Sequence, residues 1–236
     1  MNKNNILYVE KSDPWSSHSI IYDWLCNYQP GAKILDIGAA TGLLGKKLEG
    51  FGFYIKGLEP VIERGKYAAG NYDEIEYLTI DQAPEEFLEK QDVVVCADVL
   101  EHLTNPEEEL KRLIKLQKPD TQFIISVPNV AHIWIRLNLL FGKFNYTDVG
   151  ILDRTHLRFF TKKTFLQLLI STGLSPIEIK YTSVPLSRVN RFFLINPMGR
   201  FIQRIFAYTA NLLPGLFAYQ IVTRSVVKDC DKDNEP

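Results

Sequence analysis

The sequence has 236 residues, 46% apolar and 23% charged, with a formal net charge of −1. At about 150 residues per domain that suits one large domain or a domain with elaborations, and the composition excludes a disordered chain, a collagen and a coiled coil. Three cysteines, Cys26, Cys96 and Cys230, are odd in number and far apart, which excludes a disulfide framework and a zinc cluster and suits a reducing compartment. The N-terminus MNKNNILYVEKSD lacks the apolar run of a secretory signal, so a cytoplasmic location is expected.

In chain order, Asp13-Pro14 predicts a capped helix over 14–28, stopped by Pro30-Gly31. KILDIG (33–38) predicts a first strand, a glycine turn follows, and a helix runs to about Gly50. FYIKGLEP (53–60) and IEYLTID (75–81) predict the second and third strands, each followed by a helical segment. DVVVCAD (92–98) is a fully apolar fourth strand, and TQFIISVP (121–128) is the fifth. Between them PEEELKRLIKL (106–116) is amphipathic, with acids first and bases last, as the helix dipole favours. Five alternations with short links specify a parallel sheet with helices on both faces. After Pro128 the rhythm breaks. An excursion over 129–160 leads to a helix over 161–173 capped by Thr161, then a sixth strand at about 175–184. An insertion over 185–216, a last strand over 218–227 and an acidic tail over 229–236 complete the chain.

The small net charge conceals an asymmetry. Residues 179–228 carry seven bases (Lys180, Arg188, Arg191, Arg200, Arg204, Arg224 and Lys228) and no acid. Such a stretch invites an anionic partner: a phosphorylated substrate, a membrane surface or an acidic neighbour in the fold. Residues 205–223 have no charge over 19 positions, close to the roughly 20 needed to span a bilayer. Pro214-Gly215 interrupts them, so they read instead as a helix ending near Leu213, a turn, and a strand from about Ala218. Within 196–213, Phe201, Ile205, Tyr208 and Leu212 recur at helical spacing, with Arg200 and Arg204 on another face. The preferred reading is a lid over an acceptor site. A peripheral membrane contact through an interfacial helix on anionic lipid comes next, then core or homodimer packing.

In an open α/β sheet, ligands lie at the carboxyl ends of the strands, where strand order reverses. The first strand ends in Asp36-Ile-Gly38-Ala39-Ala-Thr-Gly42, the second in Glu59, the third in Asp81, and the fourth in Asp98, followed by Glu101 and His102. A row of carboxylates suits a ligand rich in hydroxyls and amines and suits phosphates badly. A phosphate-binding P-loop would need GK[ST], which GAATGLLGKK lacks, and a dinucleotide fingerprint would need GxGxxG where this loop is GxxxG. NAD stays open on chemistry alone, with Glu59 on its ribose.

ILDIGAATGLLGKKL, GLEP and DVVVCADVLEHLTNPEEELKRL together resemble the successive motifs of class I S-adenosylmethionine-dependent methyltransferases over about residues 30–128. The stretch NVAHIWIRLNLLFGKFNYTDVGILDRTHLRFFT (129–161) resembles a subgroup associated with bacterial surface-polysaccharide and sugar modification and, more distantly, quinone-precursor O-methyltransferases. The resemblance implies a Rossmann-like α/β fold in a single domain over 1–236. Its sheet has seven strands, mostly parallel with an antiparallel last strand, and insertions after strands five and six. It implies S-adenosylmethionine as cofactor. Gly38, Ala39 and Gly42 would let the backbone approach its methionine part, and Asp36 would receive its amino group. Glu59 would accept both ribose hydroxyls, Asp81 with Gln82 would take the adenine amine, and Asp98, Val99 and Leu100 would line the sulfonium. Ala40 departs from the family's usual DxGxGxG loop.

Methyl transfer to a hydroxyl needs alignment and a base working near neutral pH, and histidine is the default. Of four histidines, His102, His132 and His156 fall around the expected methyl site; His18 is given no role. His156 ranks first, with Asp153 to orient it and Arg154 or Arg158 to hold a substrate phosphate. His132 is second, beside Asn129 on the acceptor side. No set of acids and histidines shows ligand spacing, so no metal is expected. The leading expectation is O-methylation of a sugar, nucleotide sugar or surface glycan in polysaccharide biosynthesis. Alternatives are a phenolic or quinone precursor, N-methylation of an amino sugar, and a catalytically silent cofactor-binding module. No nucleic-acid partner is expected: strand four ends in Ala97-Asp98-Val99-Leu100, without the Pro-Pro-aromatic motif of amino-methylating enzymes, and the basic stretch is short of a full footprint.

Overall fold

A computed structural model describes residues 16–186 and 195–228. Seven strands form one sheet in the order β3-β2-β1-β4-β5-β7-β6. They are β1 (Lys33–Ile37), β2 (Tyr54–Leu58), β3 (Glu74–Glu76), β4 (Val93–Ala97), β5 (Gln122–Pro128), β6 (Leu174–Tyr181) and β7 (Gln220–Val227). The central pairs are parallel, and β7 runs antiparallel between β5 and β6, as expected. Strand order reverses between β1 and β4, which opens a crevice at their carboxyl ends.

Alternate residues of the apolar strands feed two cores, one on each face. Leu35, Ile37, Val94 and Cys96 pack with Phe123 and Phe165 on one side. Ile34, Val93, Val95 and Ile124 pack on the other, against Ile21, Trp24 and Leu25 of helix α1 (Ser17–Leu25). Ser16 caps α1, its hydroxyl accepting from the Ser19 amide; the expected cap Asp13-Pro14 lies outside the described residues.

Helices α2 (Leu43–Lys47), α3 (Ile62–Ala68), α4 (Glu85–Leu88) and α5 (Pro106–Lys115) link the parallel strands. The excursion after β5 contains α6 (Ile133–Leu140) and ends at α7 (Lys162–Ser171), which Thr161 and Thr164 close with a reciprocal capping box. Between β6 and β7 lie α8 (Pro197–Leu212) and α9 (Pro214–Phe217). Thus the helix and the strand expected over 205–223 are present, with the short helix α9 where a turn was expected and the strand starting at Gln220. Among the described residues no helix is long and apolar enough to cross a membrane.

The strands are shorter than their patterns predict, β3 most of all. β3 stops at Glu76 because its partner β2 ends at Leu58, opposite it, so nothing remains to pair with residues 77–81. β6 stops at Tyr181, paired with Ile221 near the start of β7.

Candidate functional site

The loop after β1 folds over the end of β2, with the Gly38 and Ala39 amides both donating to the Leu58 carbonyl, at 2.8 and 3.0 Å. Gly38 is left-handed, and a Cβ there would lie 2.8 Å from Val99 Cγ2, so the floor of the crevice is Gly38 against Val99. Gly42 is also left-handed, and a Cβ on it would meet Asn71 Nδ2 at 2.7 Å and the Ala68 backbone at 2.8 Å. The chain's own packing therefore already requires both glycines. Ala40 sits at φ 48°, a conformation that costs a non-glycine residue about 1–2 kcal/mol.

Glu59 is buried and stitches this loop to β2. One carboxylate oxygen accepts from the Ala40 amide at 2.8 Å and the other from the Val61 amide at 2.9 Å. Each oxygen retains a second acceptor position. Asp36 is buried beneath the loop and accepts from the Tyr72 hydroxyl at 2.5 Å, a partner that sequence spacing did not suggest. Asp81 and Gln82 are exposed, on a turn that Arg112 of α5 pins by donating to the Asp81 and Ala83 carbonyls, both at 2.8 Å.

Burial pushes the Asp36 carboxyl up to about 7, with the Tyr72 bond pulling it down and the Glu59 charge adding to the rise. The folded chain therefore holds this proton more tightly than the unfolded one. The stability this confers is complete below about pH 4 and is lost as pH rises through about 7. Asp36→Asn, neutral throughout, is expected to be more stable than wild type near pH 8, by up to about 4 kcal/mol, and to match it near pH 4. Thermal melts across that range check this, and a variant less stable at the alkaline end contradicts it.

At the end of β4, Asp98 adopts φ 57°. Its carboxylate accepts from Ser126 Oγ at 2.7 Å and from Gln220 Nε2 at 2.7 and 2.6 Å, so it is directed across β5 towards β7. Val99 faces the glycine loop. Leu100 does not line the site as expected; it is fully buried in the core, because the 3-10 turn after β4 rotates it inward.

That turn carries Glu101 and His102, and the excursion docks directly on it. The Leu157 and Arg158 amides donate to the Glu101 carbonyl at 2.7 and 3.0 Å, and Arg158 also donates through its side chain to the Thr104 carbonyl. This seats His156 against Glu101, with Nε2 4.0 Å from Oε1, and against His102, ring to ring at 4.8 Å. His156 Nδ1 lies 3.0 Å from the Ile151 carbonyl. An acceptor there makes Nδ1 the protonated nitrogen and leaves the lone pair on Nε2. Burial holds the pKa of His156 below the usual value, with the Ile151 bond pulling it up and His102 pushing it further down. Glu101, His102 and His156 offer ligand atoms all within 4.8 Å of one another. Local spacing could not reveal this set, because His156 comes from a distant segment.

The other catalytic and acceptor-side expectations need correction. Asp153 does not orient His156; its carboxylate accepts from the Thr155 amide at 2.8 Å and hydroxyl at 2.7 Å. Arg158 donates to the Thr104 carbonyl and Arg154 pairs with Asp148 at 2.9 Å, both on the exposed surface and not against His156. His132 caps α6 by accepting from the Trp134 amide on Nδ1 at 3.2 Å, which occupies the lone pair a base would need. Asn129 is fully buried; it donates to the Ala218 carbonyl at 2.9 Å and accepts from the Ala131 amide at 3.1 Å, tying β5 to the start of β7. Around His156 the excursion contributes rings instead of charges: Phe159 stands 6.3 Å from the imidazole, and Phe144 and Tyr146 pack on Phe159.

The sequence model of a family described as a methyltransferase domain matches residues 25–179. The chain is 31% identical over 163 residues to the mitochondrial ubiquinone biosynthesis O-methyltransferase of Homo sapiens, covering 63% of this chain and 44% of that protein. It is 28% identical over 154 residues to the ubiquinone biosynthesis O-methyltransferase of Rickettsia akari (strain Hartford), covering 63% of this chain and 61% of that protein. The chain spans about half the length of the curated relatives it matches. Among solved structures, a SAM dependent methyltransferase from Archaeoglobus fulgidus aligns with TM-score 0.59 at 17% identity, covering 89% of this chain and 92% of that one. Magnesium protoporphyrin IX methyltransferase from Synechocystis PCC 6803, solved with bound SAH, aligns with TM-score 0.60 at 18% identity, covering 90% and 82%. At these identities the likeness is one of fold.

Proposed function

The chain belongs to the class I S-adenosylmethionine-dependent methyltransferases, and from that premise we propose that it methylates a hydroxyl oxygen on a phenolic or quinone-precursor ring. The arrangement at His156 carries this reading: a buried imidazole with its lone pair on Nε2, its other nitrogen held by a carbonyl and Phe159 beside it. The ubiquinone O-methyltransferase relatives support the same acceptor class. The sugar or glycan acceptor first expected rested on the likeness of 129–161 to a sugar-modifying subgroup, with Arg154 or Arg158 to hold a phosphate. In the structure Arg154 pairs with Asp148 and Arg158 donates to Thr104, while Phe159 stands beside His156.

The donor set fits the cofactor. Glu59 keeps an acceptor position on each oxygen for ribose hydroxyls, Asp36 lies under the glycine loop to receive the amino group, and exposed Asp81 faces the adenine side. Bound there, S-adenosylmethionine supplies an activated methyl on a good leaving group. The chain's own residues do the rest. Val99 and the glycine loop set the floor, and the rings around Phe159 exclude water and orient the acceptor. His156 Nε2 would take the proton that the acceptor hydroxyl gives up on methylation. Glu101 then stabilises the imidazolium.

A second reading rests on Glu101, His102 and His156 as ligands. Both imidazoles hold Nδ1 against backbone carbonyls, the usual way of fixing a metal-binding histidine, and a divalent cation there would acidify an acceptor hydroxyl. One assay tests both readings: methyl-labelled S-adenosylmethionine with a catechol-type acid or a nucleotide sugar, with and without chelator. Label on the catechol oxygen that survives chelation is expected. Label on the sugar alone overturns the acceptor class, and activity lost to chelator and restored by magnesium assigns the lone pair of His156 to a metal.

A further inference from the structure

Helix α8 is turned the reverse way from an ordinary amphipathic helix. Its inward stripe is small or polar: Gly199, Gln203, Ala207 and Ala210 are buried. Gln203 anchors it by donating to Ser183 Oγ at 3.1 Å and the Val184 carbonyl at 3.2 Å. The opposite stripe, Met198, Phe201, Ile205, Tyr208 and Leu212, repeats at helical spacing, and each of these residues is between 47% and 68% exposed. The apolar residues of this stripe thus face solvent instead of the fold.

A second apolar surface adjoins it. Trp134, Leu137 and Leu140 of α6 are exposed, and α6 is tied to α9, directly after α8, by Arg136 donating to the Gly215 carbonyl at 3.4 Å. Asn129 completes the join by donating to the Pro214 carbonyl at 3.4 Å. Both surfaces lie at the crevice end of the sheet, since Gln220 opening β7 pairs with Pro128 closing β5. Arg200 and Arg204 flank the α8 stripe, both exposed, in a 50-residue stretch with no acid.

We infer that the outward face of α8 docks on an anionic membrane surface, with its apolar stripe at the headgroup–acyl boundary and its two arginines on lipid phosphates. Charge decides the occupant. A second copy would bring the same two arginines on the same acid-free stretch, with no acid within it to pair with them, whereas anionic headgroups supply the missing charge and the acyl region receives Phe201 and Leu212.

Flotation of the full chain tests this, with vesicles of phosphatidylcholine alone and of phosphatidylcholine mixed with phosphatidylglycerol. Capture by the mixed vesicles is expected, weakening with salt. It should fall about tenfold or more in Phe201→Ser/Tyr208→Ser and in Arg200→Glu/Arg204→Glu. Calorimetric S-adenosylmethionine binding by both variants should stay at the wild-type level, which shows that they are folded and separates failure of the surface from failure of the transfer site. Three results overturn the inference: no capture by mixed vesicles, equal capture by neutral ones, or capture unchanged in the variants. A wild-type dimer in light scattering that dissolves in Phe201→Ser/Tyr208→Ser, without vesicle capture, assigns the face to a second copy.

Discussion

Turnover by His156→Asn falls by about 10²–10⁴-fold, while S-adenosylmethionine binding stays at the wild-type level. Asparagine is the informative replacement because its amide can still donate to the Ile151 carbonyl, as Nδ1 does at 3.0 Å, but it has no lone pair where Nε2 stood. Packing of the excursion on the Glu101 turn is kept, since backbone amides of Leu157 and Arg158 make that contact. A purely structural histidine would tolerate the change; a base would not. The pH profile adds a second readout. Burial favours neutral His156, so the acid limb of the wild-type rate should lie below the ordinary histidine value near 6.5 and flatten above it. In the variant that limb should vanish along with the rate. Wild-type turnover by His156→Asn removes His156 from the chemistry.

Glu59→Ala loses S-adenosylmethionine binding by at least about 100-fold, from two causes with one origin. The carboxylate now satisfies two backbone amides, Ala40 at 2.8 Å and Val61 at 2.9 Å. Truncation leaves both without their acceptor, at about 1–3 kcal/mol each, and frees a loop that already holds Ala40 at φ 48°. It also removes the acceptor proposed for the ribose hydroxyls. Melting should therefore fall by several degrees, at about 2–4 °C per kcal/mol for a chain of this size. Calorimetry well below the melt isolates the binding loss. Undiminished affinity there would show that Glu59 only braces the loop, and the ribose would need another partner.

The apolar runs of β1, β4 and β5, the cap at Thr161, the helical spacing of Phe201, Ile205, Tyr208 and Leu212, and the acids Glu59 and Asp98 just past β2 and β4 were all legible in the sequence. Each depends on residues within a few positions of one another, where periodicity, turn chemistry and helix dipole act directly. Only the tertiary structure decided what those residues face. Asp98 is gripped by Gln220, 122 residues away, because β7 inserts beside β5. His156 reaches Glu101 because the excursion lies across the turn after β4, and Ile151, not Asp153, orients it. Arg154 and Arg158 look available in the sequence, yet each is engaged by a partner that folding brings near. Helical spacing shows that α8 has two faces. Which one turns inward is decided by the docking of Gln203 on Ser183, just past the end of β6, which buries Gly199, Ala207 and Ala210 beside it.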